Sequence, residues 1–153
     1  MKLLIASVFQ SFQRFIRRLY WLFRLMQSDI TQPLNVHHPV ICEGSGKRII
    51  GPHAQIQKGA EVSVGKNGSL SIGARLQLGK SAIFRLGNDA QVSIGEDFKM
   101  EYGSRMFVTT DWTIGDEVQI ATQCAIFSRE GGVAGKVQIG NGTHIGDHSI
   151  INC

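Results

Sequence analysis

Two hydrophobic patterns share this chain and change over near residue 28. From Ile5 the apolar residues recur as Ile5, Val8, Phe9, Phe12, Phe15, Ile16, Leu19, Leu22, Phe23 and Met26, the i, i+3, i+4, i+7 spacing of one helix face. Gln10, Gln13, Arg14, Arg17, Arg18 and Arg24 fall on the opposite side. The spacing predicts an amphipathic α-helix over 1–28. Residues 29–44 hold Pro33, Pro39 and no helical period, and they read as an extended connector in which His37 and His38 are solvated.

Beyond the connector an aliphatic residue followed by glycine recurs at Ile50-Gly51, Ile72-Gly73, Ile94-Gly95, Ile114-Gly115 and Ile139-Gly140, at intervals of 22, 22, 20 and 25 residues. Six residues past each isoleucine stand Ile56, Leu78, Met100, Ile120 and Ile145, and twelve past it Val62, Phe84, Met106, Ile126 and Ile151. Ten past it a small residue recurs as Ala60, Ala82, Ser104, Cys124 and Ser149. Apolar positions six apart define three short strands, and the return to the next isoleucine closes one turn of a triangular solenoid over 45–153. Stacked coils then make the isoleucines one interior ladder at the usual strand spacing of about 4.8 Å. Each following glycine is expected at a sharp corner where φ or crowding excludes a side chain. The extra residues of the longer coils fit after the third strand, at Lys66-Asn67-Gly68, Asn88-Asp89, Thr110-Asp111 and Arg129 to Lys136.

Charge sharpens this division. The whole chain of 153 residues has a formal net charge of +4, but residues 1–28 carry +5 with no acid and residues 29–153 a net of −1. A body without excess positive charge gives no electrostatic support to nucleic-acid binding. Arginines beside Phe9, Phe12, Phe15, Tyr20, Trp21 and Phe23 suit an interfacial helix on an anionic membrane, or one packed on protein. The arginines interrupt every window of the roughly 20 apolar residues that a span needs, and the segment lacks a signal-peptide cleavage site. The body is therefore expected in the cytoplasm, at the inner face of the membrane. Three cysteines, Cys42, Cys124 and Cys153, are too few for a disulfide-built fold. Cys124 belongs to the small-residue column and reads as core.

Segments such as Ile94-Gly95-Glu96-Asp97, Ile114-Gly115-Asp116-Glu117-Val118-Gln119-Ile120 and Ile139-Gly140-Asn141-Gly142-Thr143-His144-Ile145-Gly146-Asp147-His148 resemble the hexapeptide repeats of the left-handed parallel β-helix acyltransferases. The pattern is closest to the sugar and polysaccharide O-acetyltransferases. The resemblance implies an all-β solenoid, a left-handed parallel β-helix of about five triangular coils, preceded here by the amphipathic helix. It also implies a homotrimer with acetyl-CoA in the groove between two β-helices and a histidine as general base. The acyl group would pass from acetyl-CoA to a hydroxyl of a sugar, polysaccharide or lipopolysaccharide precursor. An imidazole titrates near working pH and suits that proton transfer.

The chain departs from the pattern in two respects. The family's histidine commonly lies in an Asp-x-His-like loop after the third strand, where this chain has Lys66, Asn88, Thr110 and Ser128-Arg129-Glu130-Gly131-Gly132. The sequence also ends at Cys153, partway through its fifth coil, which reads as a truncated solenoid or one whose end is covered. His144 and His148 are the candidate bases, with a plain polar-surface role as the alternative for each. Arg129, Gly131 and Gly132 are candidates to line the cofactor's phosphates. Trp112 and Phe127, near loop edges, are candidates to stack on adenine or sugar, or to make subunit contacts. A metal enzyme on this fold would need three histidines from adjacent coils, and only His53 joins the last-coil pair, so no metal site is expected. The competing reading is a non-catalytic, membrane-tethered β-solenoid scaffold or an inactive truncated acyltransferase.

Overall fold

Short runs that alternate in burial make up the repeat. In Ser69–Ile72 and Ile83–Leu86 every second residue is buried, while the intervening Ser71 and Arg85 face outward. A computed structural model describes residues 28–37, 39–128 and 136–153, and every described element is a β-strand. The helix expected over 1–28 lies outside the described residues except for Ser28.

Among the described residues, eighteen strands form three parallel sheets of six, and each strand pairs with its counterpart one coil away. The first sheet stacks β1 (Ser28–Ile30), β4 (Lys47–Ile50), β7 (Ser69–Ile72), β10 (Gln91–Ile94), β13 (Trp112–Ile114) and β16 (Val137–Ile139). The second stacks β2 (Leu34–Val36), β5 (Ala54–Ile56), β8 (Gln77–Leu78), β11 (Lys99–Met100), β14 (Gln119–Ile120) and β17 (His144–Ile145). The third stacks β3 (Ile41–Glu43), β6 (Glu61–Val64), β9 (Ile83–Leu86), β12 (Arg105–Val108), β15 (Ala125–Phe127) and β18 (Ile150–Asn152). The protein is a parallel β-solenoid that winds about five times.

The expected ladder is present in register: Ile50, Ile72, Ile94, Ile114 and Ile139 are successive Cα partners, and Ile30 precedes them. That extra rung corrects the reading of 29–44 as a connector. The segment is extended, but β1, β2 and β3 stack it beneath the next coil as a coil of its own, with Val36 under Ile56 and Cys42 under Val62. The Ile-Gly signal is missing there because Thr31 follows Ile30, and the prolines imitate a linker. Both prolines stand between strands, and their carbonyls accept from His53 N–H at 2.7 Å and Gly59 N–H at 2.6 Å.

The corners use two devices. At the first residue after the ladder, crowding excludes a side chain: a Cβ on Gly95 would collide with Oδ1 of Asp116, which accepts the Glu96 N–H at 2.8 Å. The left-handed backbone falls two residues later, on His53, Arg75, Asp97 and Glu117, with φ between 55° and 63°. A second corner places Ser81, Gln123 and His148 in the same conformation. Gly51, Gly73, Gly95 and Gly115 therefore serve packing, whereas a Cβ on Gly140 would meet nothing within 4 Å, and the φ requirement falls largely on other residues.

Inside, Phe84, Phe98, Leu70, Leu76, Met100 and Met106 are among the largest fully buried side chains. Cys124 is buried, as its column predicts. Arg48 breaks the apolar rule: it lies directly below Leu70 in an inward register, only 3% exposed, and its Nη2 donates to the carbonyls of Glu43 and Gly44.

Candidate functional site

The outward positions of the three sheets differ in chemistry, and the second sheet carries a polar network that crosses its coils. Gln55, Gln77, Lys99, Gln119 and His144 are successive partners in one ladder. Two residues along the coil from Lys99, Glu101 ties the strip together. Its carboxylate meets Lys99 Nζ at 2.8 Å and accepts from Gln119 Nε2 at 2.7 Å and Thr122 Oγ1 at 3.3 Å. The Lys99 hydrogen bond, opposed by partial desolvation, holds the Glu101 carboxyl below the usual carboxylate range. Beside this network, an open cleft of about 340 Å³ runs between the glutamines and Tyr102.

His144 begins β17 directly above Gln119 and is exposed, the outward position expected of it. His148 lies at the corner between β17 and β18, where φ is 59° and its backbone N–H donates to the Thr122 carbonyl at 3.0 Å. The two imidazoles thus belong to one coil but different sides of a corner, and His148 N–H is occupied in stacking the coils.

Trp112 requires a correction. It was expected near a loop edge, available to stack on a ligand, but it begins β13 two residues before Ile114 and so occupies an inward register between Val92 and Val137. Its side chain is 2% exposed, with the indole N–H donating to Thr110 Oγ1 at 3.0 Å, and it serves the core. Arg129, Gly131 and Gly132 lie outside the described residues. Among the described residues no group of three or more His, Cys, Asp or Glu is placed to hold a metal ion.

Sequence reasoning gave no role to Lys99, Glu101 or Tyr102. The signal for two of them was present, since Lys99 lies in the ladder of Gln55, Gln77, Gln119 and His144, five residues past Ile94, and Glu101 follows two later. The third sheet instead presents Phe107 and Phe127 stacked outward, ring centroids 5.4 Å apart and planes within 6°. Arg85 covers the Phe107 face at 5.4 Å and is held by Glu61 through two hydrogen bonds of 2.5 and 2.8 Å. Phe127 is thus engaged by a neighbouring coil.

Comparison with protein-family models, with curated proteins and with solved structures finds no match to this chain.

Proposed function

We propose that this protein transfers an acetyl group from acetyl-CoA to a hydroxyl of a sugar, polysaccharide or lipopolysaccharide precursor. The observation that carries the reading is the parallel β-solenoid with its in-register isoleucine ladder and Ile-Gly corners, the architecture that the hexapeptide resemblance implies. In this reading the solenoid winds left-handed, three chains associate, and acetyl-CoA lies between two of them. Residues 1–28 hold the assembly at the inner face of an anionic membrane.

His144 is the candidate base, because it is exposed and ends the polar ladder of the second sheet. Its neutral imidazole takes the proton of the acceptor hydroxyl as that oxygen attacks the thioester carbonyl carbon. The tetrahedral oxyanion collapses, the carbon–sulfur bond breaks, and the imidazolium returns the proton to the departing thiolate, leaving an acetyl ester and free coenzyme A. Backbone N–H groups are the natural partners of the oxyanion.

The test is release of coenzyme A thiol from acetyl-CoA by purified full-length protein, with and without sugar acceptors. Acceptor-dependent release that falls by about 10²- to 10⁴-fold in His144→Ala is expected. A protein that neither binds acetyl-CoA nor releases thiol overturns the proposal. One observation favours the scaffold alternative: among the described residues no hydrogen bond orients the His144 imidazole, whereas a working base is ordinarily held by a partner. Transfer activity unchanged in His144→Ala would remove that residue from the reaction.

A further inference from the structure

The cleft on the second sheet is made by what is missing from its floor. Gly79 lies between the outward Gln57 and Glu101 of the adjacent coils, one coil to each side. A Cβ there would come within 2.7 Å of the Glu101 carbonyl carbon and 2.9 Å of the Tyr102 nitrogen, so no side chain fits. The result is a depression walled by the amides of Gln55, Gln57 and Gln77 on one side and by Lys99, Glu101 and Tyr102 on the other.

The lining chemistry narrows the ligand. Each glutamine presents two donors and a carbonyl acceptor, the combination that adjacent hydroxyl groups satisfy in either sense. Tyr102 is 51% exposed and offers a flat apolar face with a polar tip. Lys99 is engaged by Glu101, which leaves Lys80 as the charge at the rim and makes a poor phosphate cradle. A peptide strand has nothing to add to, because β8 and β11 are each paired on both sides within the sheet.

We infer that this cleft is a subsite for a neutral, extended glycan, with Tyr102 stacking on one sugar ring and Gln55 and Gln77 hydrogen-bonding its hydroxyls. Gln119 and His144 continue the same ladder, so the His144 Cα lies about 10 Å beyond that of Lys99 at ordinary strand spacing. A glycan of a few rings laid across the coils runs from Tyr102 toward that imidazole. The inference deepens the proposed function and rests on it for the use made of the bound glycan, while the binding itself is independent of acetyl-CoA.

The experiment uses the full chain without coenzyme and titrates neutral tetrasaccharides, namely cellotetraose, chitotetraose, maltotetraose and mannotetraose. Binding is read by saturation-transfer NMR and calorimetry. At least one is expected to bind, with Tyr102→Ala and Gln77→Ala each weakening it by about tenfold or more. Ser93→Ala, on the outer face of the first sheet, leaves binding unchanged. Absence of binding by all four at about 10 mM overturns the subsite. So does binding that ignores both cleft variants, or a preference for glucose 6-phosphate that Lys80→Ala abolishes. Glycan binding without thiol release keeps the subsite and sinks acetyl transfer, whereas transfer with an acceptor KM unchanged in Tyr102→Ala does the reverse.

Discussion

Glu61 and Arg85 show how one outward pair crosses coils. Glu61 is 6% exposed, and the paired Arg85 guanidinium lowers its pKa from an ordinary 4.5 by more than its burial raises it. A carboxyl whose folded pKa is depressed stabilises the protein above its unfolded value, and that stability is lost as pH falls through the folded value. Thermal melts from pH 7 to pH 3 should therefore show a decline that begins below about pH 4.5 and flattens in Glu61→Gln. An unchanged acid limb in the variant would mean that other carboxyls, such as Glu101 or Asp97, dominate it. Ser81 poses a backbone question instead, since it holds φ at 58° in a corner column shared with Gly59 and Gly103. Ser81→Val is expected to cost about 1–2 kcal/mol in denaturant unfolding and Ser81→Gly almost nothing, because the strain relieved is offset by the greater freedom of the unfolded chain.

At the scale of the element, the strands are too short to persist alone, and each is defined by its neighbours one coil away. The two-residue strands β8 and β11 keep their register because Leu78 and Met100 point into the core and Gln77 and Lys99 out. The Ile-Gly corner couples coils in the same way. Gly95→Ala is expected to destabilise by about 1–3 kcal/mol, and removing the offending carboxylate with Asp116→Ala should recover only part of that. The Asp116 backbone nitrogen would still lie 2.8 Å from the new methyl group. Full recovery in the double variant would show that the side chain, rather than the backbone, sets the spacing of the corner. Burial makes the larger demand: Phe98→Ala, in a fully buried position, should cost about 3–5 kcal/mol by the same unfolding measurement.

For the whole molecule, contacts run almost entirely between adjacent coils, so stability is a sum of neighbour terms rather than the property of one central core. Residues 70–108 contain most of the largest fully buried side chains, and hydrogen exchange should be slowest there. Protection as high in β1–β3, where Leu34, Val36 and Cys42 are only partly buried, would contradict that gradient. The solenoid also explains why its chemistry lies outside. Its interior is filled, so a ligand meets only the outward ladders and corners. The second sheet's cleft lies where Gly79 stands between Gln57 and Glu101 in the outward column.

The sequence by itself determined the repeat, the interior ladder and the outward place of His144, because period and alternation are local properties that survive without knowledge of the fold. It also marked Cys124 as core through the small-residue column. Only the tertiary structure decided that Ser28 to Glu43 form a coil, since the decisive contacts, Ile30 with Ile50 and Cys42 with Val62, join residues 20 apart in a segment whose prolines signal otherwise. It decided equally that Trp112 faces inward, which depends on where β13 begins, and that Arg48 is buried against carbonyls of its own corner. The cleft beside Tyr102 was beyond reach of the sequence for a related reason: it is the gap left by Gly79 between side chains about 22 residues away in either direction, and only the stacking of coils brings those side chains together.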